Sequence, residues 1–171
     1  MNVDDIATRI KQLLDKVCTD AKGEPWEEKS KPWTVRIMSD MSSLAEQNGF
    51  EALYSKAPLS EWLYDMVWCK RENDHLNKVP LVLESEWSRI KREIYEDFDK
   101  LLLARTQLRV MIFYQDKTAS VKNVLDELVR RIRSFQETRS GDCYLLAGLS
   151  AEDNLFYYRE PVLDVEIADY H

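Results

Sequence analysis

Apolar residues recur along this chain with two different periods, and the switches between them mark out ten elements. Ile6, Ile10, Leu13, Leu14 and Val17 fall on one side of a helix. The stretch 23–32 carries glycine, two prolines and mixed charges, and reads as a loop. A second helix is predicted over 33–47, with Asn48-Gly49 as its stop. Strands are then predicted at 50–54, at 61–70 (EWLYDMVWCK) and at 79–87 (VPLVLESEW), with a hairpin connection near Asn73-Asp74. Ile90, Ile94, Phe98, Leu101, Leu102 and Arg105 line one side of a third helix, and 107–114 (QLRVMIFY) is a short buried strand. Val121, Val124, Leu125, Leu128, Ile132 and Phe135 make the cleanest helical stripe, and strands at 143–149 and 155–158 close the chain. The order α-α-β-β-β-α-β-α-β-β predicts an α/β fold, a mixed central β-sheet flanked by helices. Strand–helix–strand crossovers join parallel neighbours.

No repeat, low-complexity tract or linker interrupts this pattern. The 171 residues, 44% of them apolar, are expected to form one domain over 1–171. Its parts are N-terminal helices in 1–48, a core in 50–114 and a closing helix with strands in 115–171. Cys18, Cys69 and Cys143 form no CxxC pair, which argues for free thiols and against a zinc knuckle. No apolar run approaches the ~20 residues of a membrane span. The first residues hold Asp4 and Asp5 and lack the apolar core of a signal peptide, so the expected location is cytoplasmic or nuclear, with no membrane partner. A net charge of −7 counts against tight nucleic-acid binding except through a local basic patch.

Charge occurs where a strand should be dry. Side chains alternate along a strand, so Val82, Glu84 and Glu86 share one face, and Leu81, Leu83 and Ser85 the other. Glu61, Leu63 and Asp65 likewise share a face of the preceding strand. If pairing sets Asp65 beside Glu84, three carboxylates converge. Two carboxylates ~5 Å apart repel by about 3 kcal/mol at an effective dielectric near 20, so a proton or a cation must intervene. Mg²⁺ or Mn²⁺ suits a few carboxylates plus water. The alternative is a solvated strand face, which the flanking apolar and aromatic residues disfavour.

These residues resemble the PD-(D/E)xK nuclease superfamily, the restriction-endonuclease-like fold. Its motif opens with Asp on one strand and continues with Glu or Asp, any residue, then Lys on the next, followed by a helix and a core strand. Asp65 in LYDMVW and Glu84-Ser85-Glu86 in LVLESEW stand in those places, ahead of DFDKLLLAR and RVMIFY. The likeness spans about residues 46–114. It departs from the family at Glu86, where Lys is commonest, and at Tyr64, where Pro is usual. The resemblance implies a metal-dependent phosphodiester hydrolase acting on DNA. Asp65, Glu84 and the Ser85 carbonyl would hold Mg²⁺ or Mn²⁺, and Glu86 would orient or deprotonate the attacking water. Glu46 resembles an extra acidic ligand found in some members. In others the lysine has moved to the neighbouring helix, which makes Lys91 and Lys100 candidates. A non-catalytic member serving as a protein-interaction module or homodimer is the alternative, favoured by the acidic charge and the missing motif Lys.

Arg130, Arg131 and Arg133, with Lys122 on the same helix, could grip phosphates, as could Lys100; cations solvating a helix C-terminus explain the arginines equally well. Trp62, Tyr64, Trp68 and Trp87 could stack on bases, against the commoner role of core packing. His75 and His171 are too few for a histidine-based metal site. No nucleotide-binding glycine loop or serine-hydrolase motif is present.

Overall fold

A computed structural model describes residues 2–20, 26–54 and 63–161, the side chains of 26–32 apart. Helices α1 (Val3–Asp20) and α2 (Trp26–Gln47) precede strands β1 (Glu51–Tyr54), β2 (Met66–Glu72) and β3 (His75–Glu86). Then follow α3 (Lys91–Leu102), β4 (Leu108–Gln115), α4 (Thr118–Ser134), β5 (Cys143–Ser150) and β6 (Leu155–Arg159). The predicted element order is the observed one, and the fold is α/β with a mixed sheet flanked by helices.

The six strands lie in sequence order across one sheet. β3, β4 and β5 are parallel, while the pairs β1–β2, β2–β3 and β5–β6 are antiparallel. The β2–β3 hairpin turns on Asn73 and Asp74, whose φ angles of 50° and 64° suit a two-residue turn of the kind these residue types favour. The crossovers β3–α3–β4 and β4–α4–β5 advance in the same direction, and connections of one hand place both helices on one face. That face buries Val82, Met111, Phe113 and Leu146 against Ile94, Phe98 and Leu101 of α3 and Val121, Leu125 and Leu128 of α4. The opposite face buries Met66, Trp68, Leu81, Leu83, Val110, Ile112 and Leu145 against α1 and α2. Hydrogen bonds tie α1 to the far end of the chain. Tyr158 Oη donates to the Lys11 carbonyl (3.2 Å) and to Asp15 Oδ1 (2.7 Å), and Asn154 Nδ2 donates to the Cys18 carbonyl (3.1 Å).

Three boundaries differ from the sequence pattern by four residues or more, the first being β3, which starts at His75 instead of Val79. α2 starts at Trp26, so Pro32 lies inside the helix and not in a loop. Proline's φ is itself helical, and its cost is a missing hydrogen bond to the preceding turn. β2 starts at Met66, leaving Leu63, Tyr64 and Asp65 in a bend; Glu61 and Trp62 lie outside the described residues. The strand stops there because the Asp65 side chain, and not a backbone carbonyl of β2, takes the Ser85 N–H. Among the described residues, no helix is long and apolar enough to cross a membrane.

Candidate functional site

The register Met66↔Leu83, carried one step further, sets Asp65 opposite Glu84. Asp65 Oδ2 accepts both the backbone N–H (2.7 Å) and the hydroxyl (2.9 Å) of Ser85, which pins the bend against β3. Ser85 thus enters the site as the group that positions Asp65. Glu84 projects from the next position onto the α3 side of the sheet and is 1% exposed. Burial, reinforced by the Asp65 and Asp97 charges and only partly opposed by Lys100, pushes its carboxyl up to about 8.

Helix α3 brings two charged groups to this carboxyl. Lys100 Nζ lies 3.2 Å from Glu84 Oε1 and 2.7 Å from Asp97 Oδ1. The first contact lacks hydrogen-bond geometry, so Glu84 Oε1 is a buried oxygen without a hydrogen-bond partner. Burial works against the Lys100 charge, but Asp97 and Glu84 outweigh it and hold the ammonium above its ordinary value. With Glu84 keeping its proton at neutral pH, Asp97 is the group that balances Lys100. Glu86, two residues along β3 on the same face, accepts the Ser88 N–H at 2.6 Å. Burial raises its carboxyl, Asp97 adds to the rise and the Ser88 bond opposes it. Tyr64, half-buried in the bend beside Asp65, donates to the Lys100 carbonyl at 3.5 Å; burial and the Glu84 charge raise its hydroxyl.

Asp65, Ser85, Glu84 and Lys100 therefore meet, with Glu86 at the margin. Asp97 is an addition that the sequence reading missed, and Tyr64, read there as a candidate for stacking on bases, joins the cluster through the Lys100 carbonyl. Asp97 stood one turn before Lys100 at the flank of the Phe98–Leu101 stripe, the spacing of an i,i+3 ion pair. Glu46 is not brought to this place. It is exposed near the end of α2, where its carbonyl accepts the Gly49 N–H, next to the Glu51 end of β1. That end pairs with Cys69, whereas Tyr54 at the other end pairs with Met66. Lys91 is exposed. Arg130 is bound to Glu127 and Arg131 to Asp99, with the Arg131 guanidinium 4.4 Å from the centre of the Tyr95 ring. Their ion pairs fasten α4 to itself and to α3. Trp68 is fully buried and stacks on Phe50, a core role, and His75 is exposed at the hairpin. Trp62 and His171 lie outside the described residues.

The chemistry of this cluster suits a hard cation only in part. Asp65 and Glu84 offer hard oxygens side by side, one of them orphaned. Yet among the described residues no three His, Cys, Asp or Glu side chains gather as a group that could hold a metal ion. Glu86 does not join them as a third; one of its oxygens accepts the Ser88 N–H. No protein-family model, curated protein or solved structure matches the chain.

Proposed function

We propose that the chain is a restriction-endonuclease-like phosphodiester hydrolase acting on DNA with Mg²⁺ or Mn²⁺. The observation that carries this reading is the buried Glu84 carboxyl, beside Asp65 and within 3.2 Å of a lysine delivered by α3. The run of motif strand, motif strand, helix and core strand supports it. Asp65 and Glu84 would hold the metal, which polarises the scissile phosphate and acidifies its bound water. Glu84 must release its proton to do so, and binding is therefore favoured as pH rises. Ser85 keeps Asp65 in place throughout. Lys100, released from Glu84 to Asp97 or to a phosphate oxygen, takes the part of the lysine that β3 lacks. Glu86, held at one oxygen by the Ser88 N–H, would act as base through its other oxygen.

A second reading, a protein-interaction module without turnover, has one observation in its favour: Glu86 is engaged by Ser88 and supplies no third ligand. Cleavage assays at low salt separate the two. A nuclease cuts DNA with Mn²⁺, loses that activity in Asp65→Ala and falls at least 100-fold in Lys100→Ala. Absence of cleavage by metal-loaded protein on single-stranded DNA, double-stranded DNA and RNA decides for the module.

A further inference from the structure

A second charged place lies on the same face of the sheet, on β4 instead of β3. Arg109 pairs with Val82 and Tyr144 at the start of β4 and is 5% exposed. Its Nη2 donates to the Ala104 carbonyl at 2.7 Å and lies 3.3 Å from Asp142 Oδ1, while the guanidinium sits 5.0 Å from the centre of the Tyr144 ring. Nε and Nη1 are buried without an acceptor. One acid at 3.3 Å does not exhaust such a group, and low-dielectric walls focus what remains.

That potential opens into a cavity of about 510 Å³ between the end of α3, Arg109 and the segment after α4. Arg105 and Arg139 line the same cavity, are exposed, and have no acid partner among the described residues. In a chain of net charge −7, most arginines with described side chains are ion-paired, so two unpaired ones beside a buried third form a local exception. Glu137 and Asp142 also line it, and Asp142 is already held by Arg109 and by the Arg139 N–H at 2.9 Å. Three guanidinium groups thus face two carboxylates, one of them committed. The volume exceeds what a bare phosphate fills, and Leu102, Leu103 and Phe135 supply an apolar wall. Leu103 is 72% exposed there.

We infer that this cavity binds a small organic phosphate. Its anionic group sits between Arg105 and Arg139, with Arg109 behind it as a fixed positive charge. Its ring or apolar portion lies on Leu103 and Phe135. The cavity shares no lining residue with the Asp65–Glu84 cluster, and the inference does not depend on the nuclease reading.

Calorimetric titration of the metal-free protein in EDTA tests it, with inorganic phosphate and a 5′-mononucleotide as probes. Both should bind saturably, the mononucleotide more tightly through the apolar wall. The double variant Arg105→Ala/Arg139→Ala changes two exposed side chains and should weaken both probes at least tenfold. Glu84→Ala, which disables the other site, should leave both unchanged. No saturable binding of either probe, or binding that survives the double variant, overturns the inference. A 5′-phosphorylated oligonucleotide that binds more tightly than the mononucleotide would give the cavity to a nucleic-acid end, and so overturn the small-ligand assignment.

Discussion

The two faces of the sheet share the same strands and yet follow different rules. Under α1 and α2, the β2–β5 positions are mostly Met, Leu, Val and Ile, and the fully buried polar tips of the layer belong to two aromatic residues, Trp68 and Tyr114. Under α3 and α4, the same strands carry Glu84, Arg109, Gln115 and Ser150, which are all the buried polar or charged residues among those described. Three of the four are hydrogen-bonded, and Glu84 meets only the Lys100 ammonium. Arg109 holds Ala104 and Asp142, Gln115 Nε2 donates to the Arg89 carbonyl at 3.3 Å, and Ser150 Oγ meets Thr118 Oγ1 at 3.0 Å. One face is specialised for packing, and the other accepts the cost of buried polarity. In an α/β sheet that division says where to look for chemistry before any family is considered.

The comparison breaks if a charge is tolerated on the packing face. Leu83→Asp moves a carboxylate one residue along β3 and onto that face, among residues that are fully buried and apolar. It should cost about 4 kcal/mol or more, read as lost soluble protein or a collapsed urea midpoint. A midpoint close to that of the native chain would end the argument. Gly148→Ala asks whether the polar face is merely loose. A Cβ there would stand 2.5 Å from Phe113 Cζ and 2.6 Å from Val121 Cγ1. The substitution should destabilise by about 1–3 kcal/mol in denaturant titrations, and a neutral result would mean that slack exists under α4.

Glu84→Gln gives the finest distinction. The folded carboxyl titrates near 8 and an ordinary glutamate near 4.5, so the folded state keeps a proton that the unfolded state has lost. Its stabilising contribution is full below pH 4.5 and is lost as pH rises to 8. The slope is at most about 1.4 kcal/mol per pH unit. Urea unfolding across that window should show the slope in the native chain and its loss in Glu84→Gln. Parallel curves for the two proteins would place the proton elsewhere.

Most of the fold was legible because alternation and helical spacing are local signals. Val82, Glu84 and Glu86 declared a common face, and Val121 to Ile132 declared a buried stripe, without knowledge of their neighbours. The turn at Asn73-Asp74 was equally local. What could not be read was where elements cross. Lys100 reaches Glu84 only because α3 packs back over β3, a matter of crossover geometry that no residue spacing encodes. Arg109 drew no attention inside a strand read as buried, and its partners Ala104 and Asp142 lie on two different connections. Asp65 was assigned to a strand because hydropathy cannot see a side chain replacing a ladder bond. Glu46 failed for the converse reason: its helix was right, but the end of β1 it adjoins is the end away from Met66.

The anchoring of α1 on Tyr158 and Asn154 carries a consequence for how the protein is made. Residues joined there are separated by more than 130 positions in the chain. At translation speeds of roughly 5–20 residues per second, α1 emerges on the order of ten seconds before its docking strand exists. In that interval Ile6, Ile10 and Leu14 have no β6 edge to settle against, and the sheet face they will cover lacks part of its roof. Closing so long a loop is also the slowest kind of contact for a chain to find. A helix that leaves the ribosome well before β6 is thus among the last to take its place, and a nascent chain stopped short of Leu155 should display that apolar stripe to any chaperone within reach.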